Sequence, residues 1–96
     1  MPHLASAALA DCIRKEDENG LMKKLAGPGF LDTTRISASS PEVWTHICTA
    51  NKGFILESLD KYIKELEQLR ESLSEDDLNE IGRLFTDGGN YRRSIE

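Results

Sequence analysis

An all-α helical bundle is the fold this sequence predicts, and three observations carry that expectation. Apolar residues recur at three- and four-residue steps in segments set apart by glycine, proline and serine. Serine followed three residues later by an acid, a pattern suited to helix starts, occurs at Ser39 to Glu42 and Ser74 to Asp77. No segment alternates apolar and polar residues over the length of a useful strand.

Leu4, Ala5, Ala8, Leu9, Cys12 and Ile13 fall at helical spacing behind Pro2, so a helix is expected over residues 3 to 15. Its alanines and Ser6 give it a thin face, which suits a buried central helix. The charged run Arg14 to Glu18, with Asn19-Gly20 after it, ends this helix, and Leu21 to Leu25 add a further turn or two. Gly27-Pro28-Gly29 then opens a loop, because proline lacks a donor and glycine favours unusual dihedrals. A short helix over Phe30 to Ser37 is expected beyond it. Ser39 with Glu42, and Pro41 between them, then start a helix that turns Val43, Trp44, Ile47 and Cys48 inward.

The longest helix follows Asn51-Lys52-Gly53 and runs to about Leu73. Ile55, Leu59, Tyr62, Leu66, Leu69 and Leu73 form a heptad seam that Leu56 and Ile63 widen. Such a seam packs either against its own chain or across a two-fold axis, and periodicity does not choose. Glu57 with Lys61 and Lys61 with Glu65 supply i,i+4 pairs on the wet face. Ser74 with Asp77 caps a last helix carrying Leu78, Ile81, Leu84 and Phe85, which Asp87-Gly88-Gly89 either end or weaken.

Ninety-six residues suffice for one domain and one core. A net charge of -5, with basic residues interspersed among acids, excludes a general basic field for nucleic acid or anionic lipid. Neither partner is expected. Cys12 and Cys48 match no metal or disulfide spacing, so free, partly buried thiols in a reducing cytoplasm are expected. The first residues lack the basic start and apolar run of a signal peptide, and no apolar stretch approaches the roughly 20 residues of a membrane helix. An apolar helical pattern beginning at Leu4 suggests a domain of a longer polypeptide.

Catalysis from within the chain has little to stand on. His46 and Cys48 are two apart on a helix and point to different sides, and no GxGxxG, P-loop or zinc signature is present. Arg35 stands out, lying among Thr33, Thr34, Ile36 and Ser37 with only Asp32 as a nearby acid. A guanidinium in that setting suits bidentate binding of a carboxylate or phosphate, or else pairs with Asp32 at i,i+3 as a helix ornament. His3 could supply a second donor near the first helix's positive end, or simply be exposed. Trp44 reads as core, with an indole N–H that needs a partner if buried.

The ordered set Met1-Pro2-His3-Leu4, Gly27-x-Gly29-Phe30-x-Asp32-x-Thr34-Arg35-Ile36, Ser39-x-Pro41-x-x-Trp44 and Asn51-Lys52 closely resembles the C-terminal domain of prephenate dehydrogenases. The likeness extends over essentially the whole chain. It departs at Gly27-Pro28-Gly29, where the family commonly has three glycines, and it lacks the histidine the family commonly carries three positions before the one matched by His3.

The resemblance implies a dimerisation domain of the 6-phosphogluconate-dehydrogenase-like C-terminal type, spanning residues 1 to 96 and working as a homodimer. Nicotinamide (NAD or NADP) and the catalytic histidine would belong to an N-terminal Rossmann domain absent from this chain, so the chain alone binds no cofactor, holds no catalytic residue and is expected to be inactive. The parent reaction would be oxidative decarboxylation of prephenate to 4-hydroxyphenylpyruvate in tyrosine biosynthesis. Arg35 would bind a carboxylate of prephenate and His3 would hold the side-chain end. Asp32, Thr34 and Trp44 would support the arginine, and Gly27 and Gly29 would let the backbone approach the ligand. Arogenate as substrate, or a ligand-free dimerisation module, are the alternatives.

Overall fold

The computed structural model describes residues 2–17, 20 and 27–95. Among these residues there are five α-helices, one 3-10 turn and no strand: α1 (Pro2–Glu16), α2 (Pro28–Thr34), the 3-10 turn (Arg35–Ser37), α3 (Pro41–Ala50), α4 (Lys52–Ser74) and α5 (Leu78–Ser94). The expected all-α class is the observed one. The expected turn over Leu21 to Leu25 lies outside the described residues. Two compact units divide the chain, Met1–Leu56 and Glu57–Glu96.

In the first unit, α1 packs against α2 and against the 3-10 turn. Ser6 is the one buried residue of α1, 5% exposed, while Leu9 remains 40% exposed. The thin face thus makes a close contact, but within one chain it does not bury the helix. After α1, Gly20 holds φ 74, a left-handed conformation that a side chain would strain.

Gly27-Pro28-Gly29 is a helix start and not the loop its composition suggested. Gly27 is the N-cap in extended conformation, Pro28 occupies the first helical position, and the Leu31 amide donates to the Gly27 carbonyl at 3.2 Å. Proline at that position loses no helical bond, because the first amides have no intrahelical acceptor. The start of α3 is likewise shifted by one residue from expectation. Ser40, not Ser39, is the cap, accepting from the Val43 amide at 3.4 Å, while the Ser39 hydroxyl donates to the Ile36 carbonyl at 2.6 Å. Pro41 at the first helical position fixes that register.

A single residue joins α3 to α4. The Asn51 amide and its side-chain Nδ2 both donate to the Ile47 carbonyl, and its own carbonyl accepts from Ile55.

In the second unit, α4 ends where Asp76 adopts φ 56, with the Asp77 amide on the Ser72 carbonyl (2.8 Å) and the Asp76 amide on Leu73 (3.2 Å). That double bond is a Schellman closure, which usually places glycine at the left-handed position. Asp77 then caps α5, accepting from the Glu80 amide at 3.1 Å. Ser74, expected to cap, is instead the last residue of α4. Helix α5 continues through Gly88-Gly89 to Ser94. Leu69 of α4 faces Ile81 and Leu84 of α5 across a groove rimmed by Glu65, Gln68, Glu80 and Arg83.

No apolar side chain among the described residues is buried. Along the heptad seam Tyr62 is 40%, Leu66 44% and Leu73 61% exposed, with Ile63 beside them at 43%.

Candidate functional site

The segment around Arg35 is built from hydroxyls that donate into backbone carbonyls. Thr33 donates to Gly29 at 2.8 Å and Thr34 to Phe30 at 2.7 Å, each back one helical turn. Ser37 donates to Thr34 at 2.5 Å, and Ser6 reaches from α1 to the Thr33 carbonyl at 3.0 Å. Ser6 and Thr34, the latter 8% exposed, are the two buried residues among those described, and both are satisfied. A buried hydroxyl without a partner would cost about 1–3 kcal/mol.

Arg35 begins the 3-10 turn, where the α-helix tightens and the Ala38 amide closes on the Arg35 carbonyl at 3.4 Å. Its side chain is exposed, and among the described residues no carboxylate or carbonyl accepts from its guanidinium. The i,i+3 pair with Asp32, open on sequence grounds, is not formed. Asp32 is exposed as well.

His3 and Trp44 are brought together from 41 positions apart. Their rings stack with centroids 4.5 Å apart and planes 25° from parallel, and both residues are half-buried. This contact ties the first turn of α1 to α3. The glycines behave differently: Gly27 and Gly29 have no atom within 4 Å of a built Cβ, and neither holds positive φ. Among the described residues nothing requires glycine at either position.

The groove between α4 and α5 contains none of the residues predicted for the site. The shifted acids also lie away from Arg35. Arg14, and after it Lys15, hold the Asp11 carboxyl below its ordinary value, and Arg83 does the same for Glu80. Glu80 and Asp87 in turn raise Arg83. Cys12 is exposed, contrary to the partly buried thiol expected, and Cys48 is half-buried. Among the described residues no group of three metal-ligating side chains converges, and no helix is long and apolar enough to cross a membrane.

Sequence reasoning missed Ser6, which it read only as part of a thin face. A lone hydroxyl between alanines on the packed side of a helix was the available signal, since such a group must find an acceptor.

The family model described as "Prephenate dehydrogenase, dimerization domain" matches residues 1–87. The chain is 35% identical over 95 residues to prephenate dehydrogenase of Bacillus subtilis, covering 98% of this chain and 26% of that protein. It is 30% identical over 98 residues to prephenate dehydrogenase of Lactococcus lactis, covering 99% and 27%. To cyclohexadienyl dehydrogenase of Zymomonas mobilis it is 31% identical over 99 residues, covering 100% and 33%. The chain thus spans a quarter to a third of the length of these curated relatives. With the match running from α1 into α5, the chain belongs to the prephenate dehydrogenase dimerisation-domain family.

Proposed function

We propose that this chain is the helical part of an NAD(P)-dependent prephenate dehydrogenase, pairing two copies and docking a substrate carboxylate on Arg35. The observation that carries the docking role is a guanidinium with no acceptor among the described residues, on a segment whose neighbouring carbonyls already have hydroxyl donors. A free planar fork of that kind matches a carboxylate bidentately. His3, held by its stack on Trp44, offers a ring nitrogen to the other end of the substrate.

Prephenate loses hydride from its hydroxyl-bearing carbon while the ring carboxylate departs as carbon dioxide. The nicotinamide, held by the rest of the polypeptide, supplies the hydride acceptor. The residues of this chain orient the dianion and restrict its motion, a contribution of position and electrostatics. Arogenate keeps both carboxylates and differs by an amino group, so the same dock serves either. Exposure of Arg35 in the single chain supports a site whose walls come from a second copy and from the nucleotide-binding part.

Pairing is supported by the α4 seam, where Tyr62, Ile63, Leu66 and Leu73 are each at least 40% exposed in the single chain. The polypeptide works, on this reading, in the cytoplasm.

Arg35→Ala in the complete dehydrogenase tests the docking role. Losing a charge-assisted bidentate contact of about 1.5–3 kcal/mol lowers kcat/KM for prephenate by roughly 10- to 100-fold, with the dimer intact. An unchanged kcat/KM would leave a ligand-free dimerisation module as the function.

A further inference from the structure

We propose that Ser6 is a positioning residue for Arg35: its hydroxyl, delivered from α1, sets the backbone on which the guanidinium stands. The proposal rests on the reading of Arg35 as the carboxylate dock. Ser6 is 5% exposed and sits between alanines on a helix where a further alanine would pack at no polar cost. Its hydroxyl instead donates to the Thr33 carbonyl, 27 residues away, at 3.0 Å. The side-chain hydrogen bonds of Thr33, Thr34, Ser37 and Ser39 all stay within four residues.

The place of that bond matters more than its strength. In a continuing α-helix the Thr33 carbonyl would accept from the amide of Ser37. Here the helix tightens into the 3-10 turn beginning at Arg35, and Ser6 supplies that carbonyl with a donor from outside the segment. The carbonyls of Gly29, Phe30, Thr34 and Ile36 take their own local hydroxyls. With each of these oxygens already accepting a hydroxyl, they compete less with an external anion for the donors of Arg35.

Ser6 also lies three residues after His3, a spacing that places both on one side of α1. His3 stacks on Trp44 while Ser6 holds Thr33, so one helix fixes the separation between the two ends of the proposed dock.

Steady-state kinetics with prephenate on the complete dehydrogenase test this, using Ser6→Ala alone and in an Arg35→Ala background. One hydrogen bond converts to roughly a five- to tenfold rise in KM, with kcat within about twofold of wild type. In the Arg35→Ala background Ser6→Ala changes KM by less than about twofold, because the arginine it positions is gone. Ser6→Cys, similar in size but a weak donor, gives the same rise and serves where Ser6→Ala fails to fold. An unchanged KM in either folded, dimeric Ser6 variant overturns the proposal, as does an equal effect in both backgrounds. If Arg35→Ala itself leaves KM and kcat unchanged, the docking reading fails and this inference with it; if only the Ser6 variants are silent, the docking reading stands.

Discussion

Replacing Leu66 at the middle of the α4 seam separates pairing across two copies from packing within one. Leu66 is 44% exposed in the single chain. Complete burial of a leucine is worth about 1.5–3 kcal/mol, so a partner that covers the remaining surface supplies roughly 1 kcal/mol per copy and about 2 kcal/mol per symmetric dimer. Leu66→Ala therefore weakens dimerisation about 30-fold. Leu66→Asp is more severe, since it places two like charges in a dry contact at a cost of several kcal/mol, and the protein becomes monomeric at about micromolar concentration. Sedimentation equilibrium or light scattering over a dilution series measures both. Glu67→Ala, on an exposed position beside it, is the control and leaves the dimer constant unchanged. A wild-type chain that stays monomeric at micromolar concentration, or a Leu66→Asp dimer as tight as wild type, refutes the argument.

Other consequences are local. Asp76→Gly relieves a non-glycine residue at φ 56 and raises the thermal midpoint by a few degrees, equivalent to about 0.5–1 kcal/mol. Asp77→Ala removes the α5 cap and lowers stability by about 1 kcal/mol in urea denaturation. Ser40→Ala costs up to about 1 kcal/mol in the same assay, and more than Ser39→Ala, because Ser40 is the cap of α3. Asp11 and Glu80 have folded-state pKa values below their unfolded ones, so their contribution is present above those values and is lost as pH falls through the acid range. A double variant, Asp11→Asn with Glu80→Gln, accordingly shows a shallower loss of thermal midpoint between about pH 5 and pH 3. The difference narrows in high salt, because both pairs are exposed.

The helices were legible because amphipathic periodicity survives in a short chain, whereas their ends were legible only in part. Pro28 breaks whatever precedes it and starts whatever follows, and taken from upstream it looked like a loop. Two adjacent serines before Pro41 offered two caps, and the motif from Ser39 to Glu42 favoured the wrong one. Proline at the first helical position already pointed to Ser40. At the other junction Ser74 matched the pattern, but the left-handed Asp76 lengthens α4 and moves the cap to Asp77.

Arg35 came into view through the order of residues around it, since its chemistry alone left an ion pair with Asp32 equally open. The stack of His3 on Trp44 and the bond from Ser6 to Thr33 join positions 41 and 27 apart, and no spacing rule announces such pairs. The seam showed that something must cover it but not which copy, because a heptad repeat records only the need for a neighbour.

That no described apolar side chain is fully buried within a lone chain has a cellular consequence. On the pairing proposed above, a newly made copy is vulnerable to proteases until it meets another, so its lifetime depends on its own abundance. A damaged version co-expressed with an intact one then removes intact copies by trapping them in mixed pairs, and the loss of activity exceeds the damaged fraction.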